Sequence, residues 1–261
     1  VPLGKPPLIE VWLSFRFEPA AGAPPWTRDR YKAFIDAVAA QFPNADEMTR
    51  RAVQVSSFNQ GGSSKWKGRL VEEVMAIRTK TEDNFRTLQL TPDELTVNFI
   101  PGENNPYPGF HTFLDEAMRH CEQYSQCYQP VGLAEAAVHY VDMIEIPIPE
   151  SRILRTEDYL KLNFDAPEDV FGRFSAFQIQ AIVSHPGDDQ PVEFVFKTEP
   201  RGPEAEVARF RLEWHTPART GSRMNFEETR SNLVLAHDRL KKCFRSSFTD
   251  KGWALFDPQE T

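Results

Sequence analysis

Four polar residues occupy places where strand patterns would gather them: Glu10 and Arg16 in one alternating run, His139 and Asp142 in another. Carboxylates and an imidazole brought into one cleft can take up and return protons, which is general acid–base chemistry. His139 and Asp142 stand an odd number of positions apart, so an ideal strand points them to opposite faces. An Arg–carboxylate network that fixes two parts of the chain against each other is the competing role, and the residues favour it. Asp142 shares a face with Val138, Tyr140, Ile144 and Ile146. An unmatched carboxylate on an apolar face is costly and shifts its pKa instead, so Asp142 is the most informative single charge.

Other chemistries lack their residue patterns. His111, His120, His139, His185, His215 and His237 are dispersed, with no i, i+4 pair and no His-x-His step to present two nitrogens to one metal. Gly61-Gly62 supplies neither a dinucleotide nor a Walker phosphate cradle, and no Gly-x-Ser-x-Gly elbow occurs. Cys121, Cys127 and Cys243 lack metal or redox spacing and read as reduced, mostly buried thiols. The sequence therefore assigns no catalytic residue, cofactor or metal ligand.

The elements that must position these residues are legible from their periods. Ile9, Val11, Leu13, Phe15 and Phe17 alternate with Glu10, Ser14, Arg16 and Glu18, a half-buried strand over Leu8–Glu18 broken only by Trp12. Thr27 reads as the cap of a helix over Arg28–Phe42, stopped by Pro43. Strands follow near Leu70–Thr79, Asn84–Leu90 and Leu95–Ile100, with Thr91-Pro92-Asp93-Glu94 as a hairpin turn, and then a helix over Phe110–Cys127. Between Asn44 and Lys67 the pattern is weak. Ala52–Phe58 reads as a short strand, and Gln60-Gly61-Gly62-Ser63-Ser64 as a loop.

The same order then recurs: a strand over Leu133–Ile146, a short helix over Glu157–Leu162, and strands over Gly172–Ser184, Val192–Glu199 and Glu206–His215. A helix over Phe226–Phe248 closes it, opened by a capping box of Asn225 and Glu228. The clusters His185–Pro191 and Pro200–Pro203 join its strands, and Pro147-Ile148-Pro149 marks the boundary between halves. The expected fold class is α+β: two tandem related units, 1–129 and 130–261, each an antiparallel sheet covered by long helices. The order β-α-β3/4-α, twice, implies a saddle-like or helix-grip-like body.

At 261 residues and a net charge of −8, the chain can bury a large core and is not drawn unspecifically to phosphate backbones or anionic membranes. No apolar run reaches the length of a membrane span, and the opening Val1-Pro2-Leu3-Gly4-Lys5 has no apolar leader, so cytoplasm is the expected compartment. Arg239, Lys241, Lys242 and Arg245 near the end of the last helix suit the negative pole of its dipole.

Several motifs together resemble a family. Pro6-Pro7-Leu8-Ile9-Glu10 ahead of Arg16-Phe17-Glu18-Pro19, Leu95-Thr96-Val97-Asn98 before a Tyr107 loop, His139 through Pro147, and His237 followed by Phe244 and Thr249 are similar to a sporadically distributed prokaryotic family of about this length. Asp142 and Met143 stand where that family carries Asn and Arg, so a network built on the Arg would be absent or rearranged here. The resemblance implies no activity, substrate or cofactor, and it points toward mobile or defence-related gene sets.

Three functions of different class follow. The first is a non-catalytic binding module or accessory subunit recognising a protein partner. The second is a pocket for a small apolar or nucleotide-like ligand between sheet and long helix. The third, disfavoured by the charge, is nucleic-acid binding on a concave sheet where Arg16, Arg78, Lys80, Arg86, Arg209 and Arg211 would have to collect.

Overall fold

The computed structural model describes residues 3–19, 28–60, 63–151, 154–161, 178–184, 190–200, 205–218 and 225–259. The first half contributes β1 (Leu8–Glu18), α1 (Arg28–Val38), β2 (Asn44–Gln60), β3 (Ser63–Lys80), β4 (Arg86–Leu90), β5 (Glu94–Phe99) and α2 (Phe110–Tyr128). The second contributes β6 (Gly132–Pro147), a single 3-10 turn at Thr156–Asp158, β7 (Gln178–Val183), β8 (Val192–Thr198), β9 (Val207–Ala218), α3 (Phe226–Ser246) and α4 (Asp250–Ala254).

The expectation of two tandem units, each an antiparallel sheet under long helices, is corrected. Among the described residues all nine strands form one antiparallel sheet in the order β2-β3-β4-β5-β1-β6-β9-β8-β7. β1 pairs with β5 on one side and β6 on the other, with Trp12 opposite His139 and Arg16 opposite Glu135. The physical reason lies in the strand edges. Separate sheets would leave β1 and β6 each with a row of unpaired backbone groups, and pairing them satisfies both rows and merges two apolar faces into one. Periodicity names the buried face of a strand but not its neighbours.

Helices line that merged face. α2 lies over β1 and β5, α3 lies over β6 and β9, α1 packs on α2, and α2 and α3 touch. The alternation that made β1 legible puts Val11, Leu13, Phe15 and Phe17 into one apolar core with Phe99 of β5, Phe113 of α2 and Leu233 of α3. Fully burying a side chain such as Phe15 or Phe113 stabilises by about 1.5–3 kcal/mol. Arg230 of α3 pairs with Asp115 of α2 at the helix contact. Asn225 caps α3 as expected, its Oδ1 accepting from the Glu228 backbone N–H at 3.1 Å, while Asn225 Nδ2 lies 3.4 Å from Glu228 Oε2.

Two local expectations change. The stretch from Asn44 is a strand to Gln60, and Ser63 begins the next, so β2 and β3 form a ribbon through seventeen registered pairs. Of the loop expected at Gln60–Ser64, Gln60 ends β2 and Ser63 and Ser64 open β3, while Gly61 and Gly62 lie outside the described residues. The second short helix is the 3-10 turn Thr156–Asp158 instead. The Thr27 cap, Leu162, the first six residues of the Gly172–Ser184 strand, and the turn residues 185–189 and 201–203 also lie outside the described residues.

Candidate functional site

At the middle of the sheet, β1, β6 and β9 run side by side and present two faces of different chemistry. Their helix-facing side carries Leu8 near the start of β1, Tyr140 and Asp142 of β6, and Trp214 of β9. Across from them α3 presents His237, Leu240, Lys241 and Phe244, a helical i, i+3, i+4, i+7 series that faces one way. Together these eight side chains line a partly open cavity of about 140 Å³.

Asp142 is 7% exposed, and burial pushes its carboxyl up to about 7. The indole of Trp214, itself 5% exposed, counters that shift, although its Nε1–H makes no hydrogen bond of good geometry among the described residues. Lys241 stands exposed at the cavity rim. Its charge bears on His237 rather than on Asp142, whose burial is offset by Trp214 alone.

A second layer holds the wall in place. Tyr140 Oη lies 2.8 Å from His237 Nδ1, and the His237 ring stacks on Phe110 at 3.9 Å between centroids. Burial is the main cause that brings the His237 imidazole down to about 4. The neighbouring Asp238 carboxylate opposes that shift, and Lys241 and His111 add to it. Tyr140 is raised well above its ordinary value, first by burial and then by Tyr107 and Asp142. At neutral pH an uncharged phenol and an uncharged imidazole therefore share this hydrogen bond. Burial likewise raises the Tyr107 hydroxyl beside Tyr140.

The other face of the same strands is polar. Trp12, His139 and His215 are cross-strand neighbours and stack in a row, with centroid distances of 4.5 and 4.2 Å. Burial and the adjacent His215 hold His139 down at about 3, so its ring is neutral. Ser14 Oγ lies 3.4 Å from His139 Nε2, and His215 Nδ1 lies 3.4 Å from Glu193 Oε2.

The four residues singled out by sequence separate between these faces. Glu10 accepts from Asn98 Nδ2 at 2.6 Å, and Arg16 pairs with Glu135 at 2.9 Å, with side chains 49% and 39% exposed. His139 joins them on the polar face, while Asp142 stands alone on the helix-facing side, lining the cavity. Sequence reasoning found Asp142 and put Tyr140 on its face, but missed Trp214 and His237 as its cavity neighbours and Tyr107 as the group behind Tyr140. Tyr140 lay two positions away on the same strand face, and the spacing from His237 to Phe244 was readable as a helix stripe, yet nothing local joined that stripe to β6.

Of the cations considered for nucleic acid, the register puts Arg16, Arg78, Lys80, Arg209 and Arg211 on the polar face of the sheet and Arg86 on the other. Arg86 turns toward α2, pairing with Glu116 at 3.2 Å and lying over Phe99, while Arg209 and Arg211 pair with Glu145 and Glu213 at 2.8 Å each. Among the described residues no group of three or more His, Cys, Asp or Glu is placed to hold a metal ion, and no helix is long and apolar enough to cross a membrane. No model of a known protein family matches this sequence, and no curated protein matches it.

Proposed function

We propose that this protein is a non-catalytic binding module whose ligand is a small organic molecule held between the sheet and α3. The observation that carries this reading is a cavity of about 140 Å³ with Asp142 in a wall otherwise built from Leu8, Tyr140, Trp214, Leu240 and Phe244 beside His237 and Lys241. An apolar hollow with a few converging polar groups is the usual form of a small-molecule site. This one is smaller than a drug-sized pocket and close to the roughly 150 Å³ that accommodates benzene. The test is NMR on the Trp214 indole N–H, assigned through Trp214→Phe. A panel of benzene-sized fragments, neutral and charged, should include members that shift this resonance saturably. If none moves it at millimolar concentration, the reading fails.

A second reading, an accessory subunit that engages a protein partner, has its own support. β4 pairs with β3 only from Ile77 to Lys80, whereas the β2–β3 ribbon continues to Gln60 and Ser63. A two-stranded ribbon is marginally stable alone, and its free edges are suited to accept a strand from another polypeptide. Replacing residues 50–73 by a short turn should leave the thermal midpoint within a few degrees while abolishing capture of a partner that the intact chain retains. Retention by the trimmed chain overturns this reading. The cytoplasm remains the compartment we propose, in keeping with three free thiols at Cys121, Cys127 and Cys243.

A further inference from the structure

Resting on the small-molecule reading above, we propose that the ligand is an organic ammonium ion, an amine with a compact apolar body whose charged end meets Asp142. The cavity joins a carboxylate that is 7% exposed to walls that include Tyr140, Trp214 and Phe244. Among the described residues no cation faces that carboxylate. Lys241, the cation of the lining, stands at the rim and acts on His237. A buried carboxylate met by the Trp214 indole but by no counter-charge is complementary to a donor that brings its own positive charge. Aromatic rings beside it favour the same charge through their negative faces. An anionic ligand would meet repulsion from the ionised carboxylate, and a neutral apolar one would leave Asp142 without a counter-charge.

Trp214 stands beside Asp142 in the same wall, and its indole is the group that offsets the burial of the carboxyl. Its Nε1–H is buried without a well-formed hydrogen bond while the residue lines the cavity. Volume limits the body of the amine. About 140 Å³ suits a single six-membered ring or a short branched chain.

Binding should be linked to protonation, because the ammonium pairs only with the ionised carboxylate. The titratable and charged groups that share the cavity with Asp142 are Tyr140 on its own strand and His237 and Lys241 on α3; behind them Tyr107, ahead of α2, acts on Tyr140, and His111 of α2 and Asp238 of α3 act on His237. Tyr107 and Tyr140 keep their protons and His237 stays neutral across pH 6 to 8, so Asp142 is the group whose ionisation governs binding over that range.

The experiment is calorimetric titration of the whole protein with benzylammonium and with benzyl alcohol at pH 6 and pH 8, repeated on Asp142→Asn. Benzylammonium should bind about tenfold more tightly at pH 8 than at pH 6, the ratio of ionised fractions for a carboxyl titrating near 7. Benzyl alcohol should show no such dependence, and Asp142→Asn should weaken benzylammonium at pH 8 at least tenfold. Near-UV circular dichroism and the thermal midpoint verify that the variant is folded. If benzyl alcohol binds as well as benzylammonium in both proteins, the cavity still takes small molecules but the ammonium assignment falls. If neither probe binds to either protein, both readings fall.

Discussion

Asp142 and the buried histidines pull the stability of this protein in opposite directions as pH changes. Burial raises Asp142 from its ordinary 3.8 to about 7, so the folded state prefers the protonated carboxyl. That contribution is complete below pH 4 and is lost as pH rises through 7. His120 and His237, both lowered to about 4 by burial first, and His139, lowered to about 3, prefer to be neutral when folded. Their contribution is present above 6.5 and is lost as pH falls toward 4. From pH 5 to pH 8 the stability difference between Asp142→Asn and the parent should move in favour of the variant by about 2–3 kcal/mol. Urea unfolding at the two pH values measures it, and an unchanged difference would show that Asp142 is not desolvated. The identity of this residue was legible in the alternation of β6, but its isolation from cations was not, because that depends on where α3 places Lys241.

At the level of elements, the helix ends test the packing most directly. Asn225→Ala removes the side-chain acceptor for the Glu228 N–H and should cost about 1 kcal/mol, read from the urea midpoint. α4 is short, and its position depends on close approach to the 3-10 turn. A Cβ built on Gly252 would stand 2.0 Å from the backbone oxygen of Tyr159, so Gly252→Ala must push α4 off that turn. Thr249 fixes the same junction, with Oγ1 2.6 Å from the Asp158 carbonyl oxygen and accepting from the Gly252 N–H at 3.1 Å. The substitution should cost about 1–3 kcal/mol, and its hydrogen-exchange signature should be faster exchange of the Trp253 amide, which bonds to the Thr249 carbonyl. A stability equal to the parent's would mean that α4 does not sit against Tyr159.

For the whole molecule, the β1–β6 seam makes the two halves depend on each other. From Leu8 to Glu18 β1 is registered against β6 between Asp142 and Gly132, and the core face crosses that seam without a break. Residues 1–129 and 130–261 expressed apart would each expose a long apolar edge strand. Neither should unfold cooperatively in urea, and each should associate or aggregate. A sharp, monomeric transition for either half alone would contradict the single-sheet architecture. The ribbon behaves differently. Its distal part extends beyond the β3–β4 pairing, and for that reason its removal is expected to leave the body stable.

The local periods of the chain determined most of its elements. The alternation from Ile9 to Phe17 defined β1, the three- and four-residue steps from Phe110 to Tyr124 defined α2, and Asn225 with Glu228 announced α3. These signals are local because a strand or helix buries a face set by its own repeat. The β2–β3 ribbon was obscured because Asn44–Gln60 mixes charged and apolar residues without a steady alternation. Only the tertiary structure decided that one sheet holds all nine strands, since edge pairing joins residues more than a hundred positions apart. The same long-range contact gave Asp142 its cavity: strand order set Trp214 beside it, and helix packing brought His237 and Phe244 over it. Backbone hydrogen bonding is alike at every strand edge, so it takes the packing of the complete core to choose which edges meet.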